Sequence, residues 1–297
     1  MDDLPSFIDE YEPLIKDEFL NAVEEAQSFI EQYFFDNYPQ DTEDLPDGTG
    51  IDEIIVSALE TQLSRGFQDN LTALEDKVGL LIILLLGLSN FNINLPASEL
   101  IKIEIKQILD DYKKTFQIAG SNKKRILETI GLTPNQAKSL LIYRQELERI
   151  AKQKNTPAKL NINIIRNLSA SQRSVVRKAL ANGIEPQDIN PLVSKQHKAF
   201  LTHRAKAIGN TLSSKITHAT QQAAVNFAIN ARLVKPNQFK RFWVTAHDEK
   251  VRHNHTQTEV INSKGVDLNQ PFITPFGLVF FPPLEINCRC HVSIRKV

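Results

Sequence analysis

The residue types with the most chemical potential in this chain gather near its end: His247, Asp248, His253, His255, Cys288, Cys290 and His291. Cys288 and Cys290 are the only cysteines, standing in the string "NCRCH". Thiolate and imidazole are the usual ligands of structural zinc, which closed sites hold with four such groups. A C-x-C pair can give two sulfurs to one ion, whereas a disulfide across one intervening residue would be strained. The remaining ligands would come from "HDEKVRHNH". His255 is the first choice there, with Asp248 and His253 behind it. The spacing matches no common finger pattern, so two other readings stay open: buried thiols closing a strand, and a redox pair.

The adjacent letters "HNH" at His253 to His255 do not make a nuclease, because the residues that give such enzymes their name are spread over a ββα unit. The basic stretch before them also supplies no carboxylates for magnesium. No Gly-rich phosphate loop and no nucleophile elbow occurs. The chain reads as a non-enzyme, with a metal-dependent nuclease or another DNA-acting enzyme as the alternative.

Elements must position these side chains. Residues 236–297 carry aromatic and β-branched residues in short runs broken by Gly and Pro, which predicts strands at 239–245, 278–281 and 290–294 and a helix near 249–258. Trp243 and Phe272 are the expected core, and Arg252 and Arg289 the expected braces, toward backbone carbonyls or Asp248. So small an α+β domain has a thin core and gains from a staple such as a metal. Upstream, helical spacing dominates: Leu14, Ile15, Phe19, Val23, Ala26 and Ile30 form one stripe, and Leu100, Ile101, Ile105, Ile108, Leu109 and Tyr112 another. Thr133–Pro134–Gln136 and Ser169–Gln172 are capping-box signals, and Gly120 and Gly183 are helix stops. A long basic helix, or two, should run from about Pro191 to Val234, with His197, His203 and His218 on a polar surface. "DNYPQDTEDLPDGTG" reads as an exposed acidic loop and "KQKNTPAKLNINIIRN" as another loop. The fold class is mainly α: an acidic helical region (1–120), a basic helical region (121–235) and a small α+β domain (236–297).

Charge is divided along the chain although its formal net value is +0. Residues 1–60 hold eighteen carboxylates against Lys16 alone, whereas 189–247 hold nine Lys and Arg and no acid. Residues 121–297 carry twenty-eight bases and ten acids. Such polarity predicts different partners for the two ends, with nucleic acid the obvious polyanion for the basic one. Lys195, Lys198, Arg204, Lys206 and Lys215 are the candidate DNA contacts. The apolar run Val78 to Leu88 is too short for a bilayer and is expected to be a buried helix. The N-terminus lacks the features of a signal peptide. With two cysteines and no membrane anchor, the expected setting is a reducing, intracellular one.

The order of elements in the tail resembles the C-terminal domain of phage Mu F-like minor head proteins, also called head-morphogenesis proteins. "FWVTAHDEKVRHNHTQTEV", "QPFITPFGLVFFPP" and "EINCRC" follow that family's sequence of an aromatic strand, a Thr-x-x-Asp turn, an Arg-x-x-His step, a hairpin and Asn-Cys-Arg-Cys. The matching positions are Trp243, Thr245, Asp248, Arg252, His255, Pro271, Phe272, Gly277, Asn287, Cys288, Arg289 and Cys290. "IGLTPNQAKSLLIYRQELERI" is similar to a second family stretch. The long helix lacks the Ala-Arg-Thr-Glu-like step usual in relatives. The resemblance implies a minor capsid component present in multiple copies in the virion. It would associate with portal and other head proteins at the portal vertex, assemble in the host cytoplasm, and act in head assembly, DNA packaging or ejection.

Overall fold

The computed structural model describes residues 4–38, 42–46, 50–85, 97–153, 166–285 and 288–297. Within them eight α-helices precede or flank a few short antiparallel strands, so the chain is mainly α with a small α+β C-terminus. The helices are α1 (Leu4–Asn37), α2 (Ile51–Leu85), α3 (Ala97–Ala119), α4 (Lys123–Thr129), α5 (Pro134–Lys152), α6 (Ala170–Asn182), α7 (Pro186–Asn230) and α8 (His253–Ile261). The strands are β1 (Phe239–Val244), β2 (Val266–Asp267), β3 (Phe272–Thr274), β4 (Gly277–Val279) and β5 (His291–Lys296).

Two compact units result, and neither is contiguous in sequence. One takes Leu20–Leu63 and Ile105–Arg204; the other takes Met1–Phe19, Ser64–Glu104 and Ala205–Val297.

In the first unit, local sequence sets the helix starts. Thr133 accepts from the Gln136 N–H at 3.3 Å, and the Gln136 side chain accepts from the Thr133 N–H at 3.0 Å, with Pro134 in the first turn. Ser169 and Gln172 repeat the device, and Gly183 ends that helix at φ 78°. Each such cap contributes about 1 kcal/mol. Burial of Val23, Ala26, Ile30, Ile55, Leu59, Ile108 and Tyr112 supplies the apolar core. Polar clamps join the elements. Arg144 of α5 holds Glu128 of α4 through Nε at 2.7 Å and Asn190 of α7 at 3.0 Å. The acidic stretch expected to be an exposed loop is partly tied in: Leu45 is buried, and its N–H donates to the Ser121 carbonyl. The other expected loop lies largely outside the described residues.

In the second unit, Tyr11, Ile15 and Phe19 of α1, Phe67, Leu71, Leu74 and Val78 of α2, and Leu212 and Ile216 of α7 are buried. The rest of the apolar run, in its side chains, lies outside the described residues. Leu14, expected in the stripe, is 43% exposed, because Tyr11, Ile15 and Phe19 at four-residue spacing set the buried face one position away. The sheet has the order β2-β1-β5, antiparallel throughout, with Trp243 opposite Val292 and Val244 opposite His291. β3 and β4 form a separate hairpin. Trp243 and Phe272 meet edge to face at 5.4 Å and share the core with Cys288, Cys290 and Val292, as expected of them.

Boundaries move where a turn competes with a helix. α8 starts at His253 rather than near 249, because the Asp248 carboxylate accepts from the Lys250 N–H at 3.0 Å and folds 248–251 as a turn. α7 starts at Pro186, itself a favoured first-turn residue. His197 and His218 are buried, not on the surface; only His203 is exposed. Among the described residues no helix is long and apolar enough to cross a membrane.

Candidate metal centre

Three elements bring the reactive side chains together. β1 and β5 pair side by side, so the residues just before β5 arrive beside the end of β1. A turn in which the Cys288 N–H donates to the Glu285 carbonyl at 3.1 Å sets Cys288 and Cys290 on one flank. α8 supplies His255 from its first turn, and the helix packs on β3 and β1. The result is a cluster of His255, Cys288 and Cys290, all buried, with one ligand atom from each lying within 4.8 Å of the others.

The distances within the cluster are short enough for the three side chains to hold one metal ion. His255 Nδ1 is 3.5 Å from Cys288 Sγ and 3.3 Å from Cys290 Sγ. Tetrahedral zinc with ordinary Zn–N and Zn–S bonds separates such donors by about 3.6 Å. His255 Nε2 lies 3.1 Å from Glu285 Oε2. An Nε2–H donating to Glu285 leaves the Nδ1 lone pair facing the sulfurs, the orientation that carboxylate–histidine–metal sites use. The Cys288 thiol is drawn down to about 6 by a hydrogen bond from Cys290, against the opposing effect of burial. Cys290 moves the other way, raised by its bond to Cys288 and by burial. Of the two thiols, Cys288 is therefore the one that ionises first, and a bound cation would favour loss of the second proton as well.

The second-choice ligands are placed elsewhere. Asp248 receives both prongs of Arg289, at 2.6 and 2.8 Å, which holds its carboxyl below the usual range. Arg289 is thus the brace that the sequence suggested. His253 is exposed, one helical flank away from His255. His247 Nε2 contacts Glu259 at 2.8 Å. Arg252 Nη1 is 3.7 Å from Glu285. Asn287 lies outside the described residues. A cavity of about 220 Å³ opens over the cluster, lined by Ala246, Lys250, Val251, Arg252 and Arg289 beside the three ligands.

Two residues of this region escaped sequence reasoning. Glu285 is one of many carboxylates in the chain, and nothing in its spacing marks it. Arg241, 1% exposed, sits beneath the sheet. It donates to the carbonyls of Phe280 (3.0 Å) and Gln270 and to the Gln222 side chain, and stacks on Phe272 at 4.9 Å. Burial pushes its guanidinium down to about 10. The available signal was weak: Arg241 shares the Trp243 face of the strand, but Lys240 beside it is charged as well.

The candidate DNA contacts divide into two groups. Lys195, Lys198 and Lys206 are exposed. Arg204 is buried and bonded to the Gly131 carbonyl (2.9 Å) and Asp111 (3.1 Å). Lys215 pairs with Glu104 at 2.9 Å.

No curated protein and no solved structure matches the chain. Residues 170–293, from the first residue of α6 into β5, match the family model described as "Phage Mu protein F like protein". That stretch contains every residue of the His/Cys/Cys cluster and its supports. That match, with the ordered tail elements it encloses, makes this stretch similar to the phage Mu F-like family and supports a head-morphogenesis protein of that kind.

Proposed function

We propose that the protein is a non-enzymatic adaptor at the portal vertex of a phage head, acting in assembly and DNA packaging, with its C-terminal domain stapled by zinc. The family match carries the reading, because that family is structural. The ligand geometry around His255 supports the zinc. The exposed Lys195, Lys198 and Lys206 suit sequence-independent phosphate binding, whereas Arg204 and Lys215 serve internal pairs. On the acidic side, α1 and α2 enclose a groove of about 690 Å³ with Ala26 and Ala58 in its lining, Glu25 and Glu53 at its rim and Phe29 half exposed. This suits docking of a head-protein surface that carries basic and apolar groups.

The test is binding of the purified chain to portal subunits and, across a salt series, to duplex DNA. Triple replacement of Lys195, Lys198 and Lys206 by Gln should flatten the salt dependence by roughly one unit for each phosphate no longer neutralised. Binding to neither partner at low salt would sink the adaptor reading.

A metal-dependent nuclease is the second reading, favoured by the open cavity beside the cluster. It requires plasmid cleavage with added divalent metal, abolished by His255→Ala.

A further inference from the structure

Resting on the metal reading proposed above, we infer that the ion has three protein ligands and a fourth, exchangeable position that takes an anionic oxygen from the cavity. Closed structural zinc sites use four protein ligands, and sites that exchange a ligand keep one position open. Among the described residues the cluster has only three members. The neighbours that could complete it are turned to other work: Asp248 to Arg289, Glu285 to the far nitrogen of His255, and His247 to Glu259. His291 follows Cys290 into a strand, where successive side chains take opposite faces.

The cavity supplies the opening. All three ligands line it although each residue is buried, so the ion would face this space and not packed protein. Among the described residues its charged lining side chains are Lys250, Arg252 and Arg289, with no carboxylate. Two thiolates would cancel the charge of a divalent ion; with Arg289 paired to Asp248 and Arg252 3.7 Å from Glu285, the Lys250 ammonium is the rim charge that favours an anion. A carboxylate of a partner protein and a phosphate of nucleic acid share the chemistry required.

The experiment uses the full chain loaded with cobalt(II), whose visible bands report the number and kind of donors. Acetate, inorganic phosphate and imidazole are added separately in a non-coordinating buffer. The expected result is a saturable spectral change with acetate or phosphate, weakened about fivefold in Lys250→Gln, which removes one rim charge and no ligand. The preference between acetate and phosphate reports whether the position takes a carboxylate or a phosphate oxygen. Stoichiometric cobalt with a spectrum indifferent to all three would overturn the inference alone, since the fourth ligand would then be the protein's own. A response to imidazole only would overturn the anion preference. Failure to bind cobalt at all would show before any ligand is added, and would remove the metal reading together with the inference.

Discussion

Glu285 stands on the far side of the His255 ring from the two sulfurs, with Oε2 3.1 Å from Nε2, while Nδ1 faces Cys288 and Cys290. One carboxylate thus favours the tautomer whose Nδ1 lone pair faces the sulfurs. Glu285→Gln should lower zinc affinity about 10- to 100-fold, as loss of such outer partners does elsewhere. Competition with a coloured chelator measures this. The exposed position of Glu285 means that the fold should persist, so unchanged affinity would dissociate the carboxylate from the site.

Arg241 satisfies the carbonyls of Gln270 and Phe280 and the amide of Gln222 from a position closed to water. Arg241→Met keeps much of the volume and leaves those acceptors unpaired. Urea unfolding followed by Trp243 fluorescence should show a loss of about 2–4 kcal/mol, the scale of a buried charged donor removed from its partners. A loss below ~0.5 kcal/mol would mean that the acceptors find replacements.

Gly209 of α7 admits α1 closely: a Cβ there would lie 2.5 Å from the Glu12 carbonyl oxygen. Helix propensity alone favours Gly209→Ala by about 1 kcal/mol. Overpacking against backbone costs about 1–3 kcal/mol and should prevail. Net destabilisation in thermal melts is expected; a raised Tm would show that the helices separate without penalty.

His218 is fully buried, and burial pushes its pKa down to about 4. His197 is shifted the same way by burial. A base with a depressed folded pKa binds protons less well than in the unfolded chain. Its contribution is therefore whole above about 6.5 and is lost as pH falls toward 4. For His218 this is on the order of 3 kcal/mol. Unfolding free energies measured from about pH 7 to 4 with a chelator present should fall, and His218→Asn should flatten that slope. An unaltered slope would contradict the assignment.

Local signals in the sequence were read correctly where the physics is local. The capping boxes at Thr133 and Ser169 are made by side chains three residues apart, so no distant group is needed to form them. The Cys288/Cys290 pair and the ordered tail marked the right region, and Trp243 with Phe272 proved to be its core. The sequence also puts His255 first among the side chains that could join the sulfurs, with Asp248 and His253 behind it. The structure brings His255 of α8 to the thiols and buries it, while His253, two residues earlier on the helix, stays exposed.

The same division explains the histidines and bases of α7. Helical periodicity alone leaves open which face of a long polar helix is covered, so His197 and His218 looked exposed and Arg204 looked free. Burial depends on what packs against each turn, and Arg204 is committed by Gly131 and Asp111, far away in sequence. By itself, then, the sequence determined helix caps, the strand-rich tail, the charge division and the presence of a thiol pair, because these follow from neighbouring residues. The burial of His255 against both thiols, the carboxylate on its far nitrogen, the buried Arg241 and the division of the α7 bases into exposed and paired were decided only by tertiary structure, because each depends on groups brought together across long stretches of chain.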